Sequence, residues 1–200
     1  MIKHTLRRRA QSGFTLIEAA IVLAIIGLVA GGIWVAASSV YENLRTARAS
    51  EQLLASVQQI RSLHATQGTI STASTLTEDL AKARVFPQDM FADAADVTPA
   101  NPWQGDVFIF GVAAITGNLG PGFWVVYNGL PKSSCIDMVA RNTGQGRDTG
   151  MVGVNIGSSA VSAAPAGLGS TTAPVTVTAA AQACSADTNN SVGFLFRLKG

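Results

Sequence analysis

This chain is poor in the groups that do chemistry: it has two cysteines, two histidines and a charged fraction of only 13%. Neither His4 nor His64 has a nucleophile partner in a local motif, so a hydrolase triad has no foothold. Cys135 and Cys184 lack both a CxxC spacing and a neighbouring histidine, which argues against a zinc site. Phosphate-cradling glycine loops, dinucleotide fingerprints and HExxH pairs are missing too. Asp89, Asp93 and Asp96 are spaced to line one face of a short helix, but without a calcium-loop pattern they read as a solvated acidic face. No enzyme, metal or cofactor is expected. An excess of positive charge is also lacking. Of fourteen basic side chains, Lys3, Arg7, Arg8 and Arg9 fall in the first nine residues; beyond residue 13, ten basic and twelve acidic groups leave a net charge of −2. That balance leaves no global basic character to hold nucleic acid by phosphate neutralisation, and only a local patch could do so.

The most informative absence is local. Ala19 to Ala37 is a run of nineteen residues without a charge, mostly Ala, Ile, Leu, Val and Gly. As a helix it spans about 28 Å, close to the hydrocarbon thickness of a bilayer. The basic cluster before it, against the mixed Glu42, Arg45 and Arg48 after it, predicts a cytoplasmic N-terminus and an exported remainder. A secretory signal would have a shorter apolar core closed by a small-x-small site. Glu18 stands out at the edge of this run, because a carboxylate near a hydrophobic segment is costly and needs a partner, and none is expected within its own helix. The two cysteines permit one disulfide, worth about 4 kcal/mol for a loop of this size in an oxidising compartment; the alternative is a pair of buried thiols.

Gly13-Phe14-Thr15-Leu16-Ile17-Glu18, behind a basic leader and ahead of the apolar run, resembles the processing signature of type IV prepilins and pseudopilins. The resemblance implies a leader of residues 1–13, cleavage after Gly13 by the membrane prepilin peptidase, methylation of the Phe14 amine, and a helix over residues 14–64 that crosses the membrane at about 19–37. It also implies that Glu18 pairs with the N-terminal amine of an adjacent subunit, which would set register in a polymer. Gly31 and Gly32 lower helix propensity by roughly 1 kcal/mol each, and the resemblance makes them candidates for local melting when subunits leave the bilayer. The implied partners are other copies of the chain, the peptidase and the inner-membrane assembly machinery. A host or bacterial surface is the implied target of the finished extracellular filament.

Beyond the membrane run, Val40, Leu44, Ala47, Leu54, Val57 and Ile60 recur at three- or four-residue steps, widened by Leu53. This pattern predicts an amphipathic helix reaching about His64 and stopped by Gly68. The head, residues 65–200, is expected to be α+β, with the long helix packed on an antiparallel sheet. Thr75 and Glu78 have capping-box spacing for a short helix ending near Phe86-Pro87. Strands are expected at 106–112, 123–127, 151–156, 175–178 and 192–198, and a helix after Pro131. Asn101-Pro102-Trp103-Gln104-Gly105 resembles the Asn-Pro-Trp-Gly-Gly element of type IVb pilins, with Gln104 in place of a glycine and Trp103 read as a core anchor. The Leu130-Pro131 to Cys135 segment resembles another type IVb region, which implies a disulfide from Cys135 to Cys184. Thr149 to Ala186 carries no charge and suits a variable loop, a subunit contact or a glycan-bearing surface.

The leading expectation is a structural subunit of a type IV pilus serving adhesion, aggregation or conjugative contact. A pseudopilin of a type II secretion system shares the N-terminus, but its major form usually lacks the distal disulfide. A minor tip adhesin and a monomeric signal-anchored protein are the remaining alternatives.

Overall fold

A computed structural model describes residues 15–74, 76–93, 95–145, 147–165, 171–172 and 174–199. The chain divides into two compact units between Tyr41 and Glu42. Helix α1, Leu16–Leu63, contributes to both.

In the first unit, the helix has apolar side chains all round and none of them is buried: Leu16 is 89% exposed, Leu28 80% and Trp34 79%. Such a helix satisfies its own backbone and leaves its side chains in need of an apolar solvent.

The second unit is a five-stranded antiparallel sheet in the order β1-β2-β5-β3-β4. Its strands are β1 Val107–Ile115, β2 Gly120–Leu130, β3 Met151–Gly157, β4 Thr171–Thr172 and β5 Asn190–Arg197. Val125 of β2 lies opposite both Ile109 and Phe194, and Phe194 lies opposite Val154. The last strand therefore occupies the middle of the sheet, paired on both sides.

Alternation sends the side chains to two cores. Val107, Ile109, Phe123, Val125, Tyr127, Phe194 and Phe196 join Ala49, Leu53, Val57 and Ile60 of α1 in the larger one. Ile115, Trp124, Val126 and Leu195 form a smaller cluster, with Phe108 and Phe110 packed against it.

The sheet's outer edge on the β1 side is closed by α2, Leu76–Lys82. The Thr77 hydroxyl accepts from the Ile109 N–H (2.9 Å) and donates to its carbonyl (3.2 Å), occupying groups that an edge strand would otherwise offer to another chain. Thr75, the expected cap of α2, lies outside the described residues. The helix ends before Phe86-Pro87 because Arg84 turns left-handed (φ 55°) and the Val85 N–H reaches back to the Leu80 carbonyl (3.1 Å). Gly68, at φ 65°, receives the end of α1 as expected.

Three expectations need correction. First, the buried face of α1 is rotated from the predicted stripe. Thr46, Ala49, Gln52, Leu53, Ser56, Val57 and Ile60 are buried, whereas Leu44 (62%) and Leu54 (41%) are exposed. Hydrophobicity alone misjudged the phase, because polar residues sit on the buried side. Gln52 is accommodated by donating to Asp89 (2.6 Å), and Thr46 by donating to the Glu42 carbonyl (3.1 Å).

Second, 175–178 is not a strand. Thr176 caps helix α4, Val177–Ala183, by accepting from the Ala179 N–H (3.2 Å), and the alanines behind it outweigh the β-branched start. Third, Asp89, Asp93 and Asp96 share no helical face. Among the described residues the helical structure there is a 3-10 turn, Gln88–Met90, and Asp89 is turned onto α1.

Candidate functional site

Gly13 and Phe14, the residues expected to specify processing, lie outside the described residues. At the start of α1, the Thr15 N–H and hydroxyl both point to the Glu18 carboxylate (3.4 and 3.2 Å), while the Glu18 N–H points back to the Thr15 hydroxyl (3.4 Å). This is a reciprocal capping box. It corrects the expectation that Glu18 has no partner in its own helix: Thr15 supplies one, and the Thr-x-x-Glu spacing carried the signal. Thr15 brings no positive charge, however, so the carboxylate can still take an ion-pair partner from outside the chain.

Along the apolar half, Gly27, Gly31 and Gly32 have open space where a β-carbon would be, and the helix runs through them unbroken. The Ser38 and Ser39 hydroxyls donate to the Val35 and Ala36 carbonyls (2.8 and 2.9 Å), so neither presents an unpaired donor to an apolar medium.

In the head, Cys135 and Cys184 are bonded to each other, both fully buried, with Cα atoms 6.1 Å apart. Cys135 lies in α3, Lys132–Thr143, and Cys184 ends α4, so the bridge staples these two helices beside the sheet.

The Asn101–Gly105 turn is held by the Asn101 side chain. Its carbonyl accepts from the N–H groups of Trp103 (2.9 Å) and Gly105 (3.1 Å), and its amide donates to the Asn128 carbonyl (2.7 Å). Gly105 is required there because a β-carbon would overlap that carbonyl. Gln104 adopts the left-handed conformation (φ 64°) that a glycine would take without strain.

Trp103 packs on the main core, as expected of an anchor, but its indole N–H also donates to the Glu42 carboxylate (3.0 Å). Glu42 was not singled out from the sequence. Its partners outside α1 are 61 and 92 residues away, and no local pattern marks them.

Ion pairs from Arg61 to Asp148 and from Arg48 to Asp89 bind α1 to the rest of the head. Arg61 grips Asp148 through two bonds (2.8 and 2.9 Å), donates to the Arg197 carbonyl (3.1 Å) and lies over the Phe196 ring. Burial raises the Asp148 pKa, but the hydrogen bonds from Arg61 and the Gly150 N–H outweigh it and hold the carboxyl below its ordinary value. At Asp89, burial is likewise overcome by hydrogen bonds from Gln52 and Arg48, and the pKa is lowered. Tyr127, wholly buried with its hydroxyl toward the Ala49 carbonyl (3.4 Å), is pushed far up by desolvation and by the nearby Asp89.

Residues 43–196 match the family model described as PilS N terminal, and residues 8–34 match the prokaryotic N-terminal methylation motif. The major structural subunit of the bundle-forming pilus of Escherichia coli O111:H- is 24% identical over 158 residues, covering 79% of this chain and 78% of that protein. The corresponding subunit from E. coli O127:H6 is 23% identical over 144 residues, covering 72% of each. Among solved structures, a type IVb pilin from Salmonella typhi aligns over 72% of this chain and 96% of its own (TM-score 0.48, 24% identity). A type IV pilin from Vibrio cholerae El Tor aligns over 76% and 98% (TM-score 0.45, 17% identity).

Proposed function

The chain belongs to the PilS family of type IV pilins, and from that premise we propose that it is a structural subunit of a type IV pilus, stored in a membrane through Ala19–Ala37 and polymerised through the same helix. It is a structural protein, not an enzyme. The observation that carries the reading is the first unit of α1: a helix apolar on every side, with its large side chains exposed, whose start lies within a methylation motif over residues 8–34. An isolated chain hides that surface in a bilayer, and a polymer hides it among copies of itself.

In this reading residues 1–13 stay in the cytoplasm until a prepilin peptidase cuts after Gly13, the Phe14 amine is methylated, and the head lies outside the inner membrane. Glu18 then meets the Phe14 amine of a neighbouring subunit, and the assembly machinery lifts subunits out one at a time. Loss of charge balance inside an apolar bundle is costly, so only the register that pairs Glu18 with an amine is favoured. Gly31 and Gly32 are the proposed place for the helix to open when it leaves the bilayer. A filament map with unbroken helical density there would refute that part.

The Cys135–Cys184 bridge favours a pilus subunit over a type II secretion pseudopilin, whose major form usually has a smaller head without a distal disulfide. Mass spectrometry of the mature N-terminus tests the proposal: the expected chain begins with methylated Phe14, and a chain keeping residues 1–13 would overturn it. Glu18→Ala should be cut and inserted normally yet yield few filaments. Wild-type piliation by that variant would remove the pairing role.

A further inference from the structure

The head holds the two parts of its share of α1 by different means. From Leu53 to Ile60 the helix is seated by buried apolar side chains. From Glu42 to Arg48 it has none, the first buried apolar residue being Ala49. Those opening turns are tied by side-chain hydrogen bonds instead. One Glu42 oxygen accepts from the Trp103 indole N–H (3.0 Å) and from the Ser134 hydroxyl (3.1 Å), while the other faces Arg45 (3.4 Å). On the same flank Arg141 donates to Asn43 (3.3 Å) and Asn142 to Ser50 (3.0 Å). On another flank Arg48 and Gln52 both donate to Asp89 (2.9 and 2.6 Å).

We propose that Glu42 is a positioning residue that sets where helix α1 stops being free and becomes part of the head. It is the first residue of the head unit, and it joins α1 to two other parts at once: the Asn101–Gly105 turn and the first turn of the disulfide-bearing helix α3. A carboxylate suits the task because it accepts charge-assisted bonds at both oxygens, and three donors converge on it. This inference rests on the pilus-subunit reading for its purpose. In a polymer built through one half of a helix, the length of helix outside the head fixes how far each head stands from the filament axis. Without Glu42, the turns up to Ala49 lack an apolar seat to hold them, and the head begins about two turns later.

Hydrogen exchange of the full mature chain in detergent micelles tests this. In Glu42→Ala, peptides covering residues 42–52 should exchange about tenfold faster or more, while those covering β2 and β5 keep their wild-type rates. Glu42→Gln, which keeps one acceptor oxygen, should fall between. Trp103→Phe should loosen 42–52 in the wild-type background and add little on top of Glu42→Ala, because the two changes remove one shared bond. Exchange of 42–52 within about twofold of wild type in Glu42→Ala would overturn the proposal. So would equal acceleration of β2 and β5, which would make Glu42 a general stabiliser. Should Glu42→Ala not accumulate, Glu42→Gln and Trp103→Phe are judged by the same two criteria. An uncut N-terminus would defeat the pilus reading and leave this exchange pattern standing, so the two failures are separable.

Discussion

Up to Tyr41, helix α1 exposes its large apolar side chains. From Glu42 onward it carries arginines, glutamates and glutamines, yet buries Leu53, Val57 and Ile60 completely. The more hydrophobic half is the exposed one. Burial in this chain is thus set by what a segment has to pack against, and a segment richer in apolar surface than its own chain can cover is built for another environment. The polar half reaches the core through a narrow stripe in which even Gln52 and Thr46 are accommodated by hydrogen bonds.

The contrast can be broken most severely at the disulfide. Reducing Cys135–Cys184, which closes a span of 49 residues, should cost the head about 4 kcal/mol. Helical circular dichroism from the apolar half in micelles should be untouched. Chemical denaturation of oxidised and reduced protein measures both, and equal loss in the two halves would mean that they are not independent units. A pair of leucines sharpens the comparison next. Leu53→Ala removes a fully buried side chain and should lower head stability by about 3 kcal/mol, whereas Leu28→Ala, at a position 80% exposed, should leave the head's melting temperature unchanged and weaken only filament formation.

Acid acts on the head through smaller terms. The folded-state pKa of Asp148 is lowered, so its pair with Arg61 contributes stability above the unfolded carboxylate value of about 3.9. That contribution is lost as pH falls through the folded value. Asp89, also lowered, adds to the same loss on the other flank of α1. Urea midpoints should therefore fall between pH 6 and pH 3, and Asp148→Asn should lower the midpoint at pH 6 while flattening its pH dependence; a slope as steep as wild type would exonerate Asp148. The smallest expected effect is a gain. Gln104→Gly relieves a left-handed φ of 64° and should raise head stability by about 0.5 kcal/mol, after the extra freedom of glycine in the unfolded chain is set against it.

How much of this was legible in the sequence follows the range of the interactions. The long N-terminal helix, the α+β class and the positions of β1, β2, β3 and β5 are carried by local composition and alternation, and they stand where the pattern put them. The cysteines allowed a bridge, and the structure contains it. The phase of α1 was not legible. Leu44 and Leu54 look like core by hydrophobicity, and only the opposing surface decides that Thr46 and Ser56 go inward instead. At Val175 to Thr178, β-branched residues outvoted a capping threonine and the alanines that follow it. The Thr15–Glu18 box was readable in principle, but the cost of a carboxylate near a bilayer overshadowed its ordinary use as a cap. The meeting of Glu42, Trp103 and Ser134 is a product of the tertiary fold, and one chain read alone has no signal for it.

The central place of β5 also bears on timing. Chains emerge N-terminus first, so α1, β1 and β2 exist for some time with the middle of their sheet missing, and β3 has only its short edge partner until Asn190–Arg197 arrives. The head therefore cannot set early. On the proposed membrane-anchored reading that delay is an advantage, because the helix that would anchor the chain is made before the strand that locks its head.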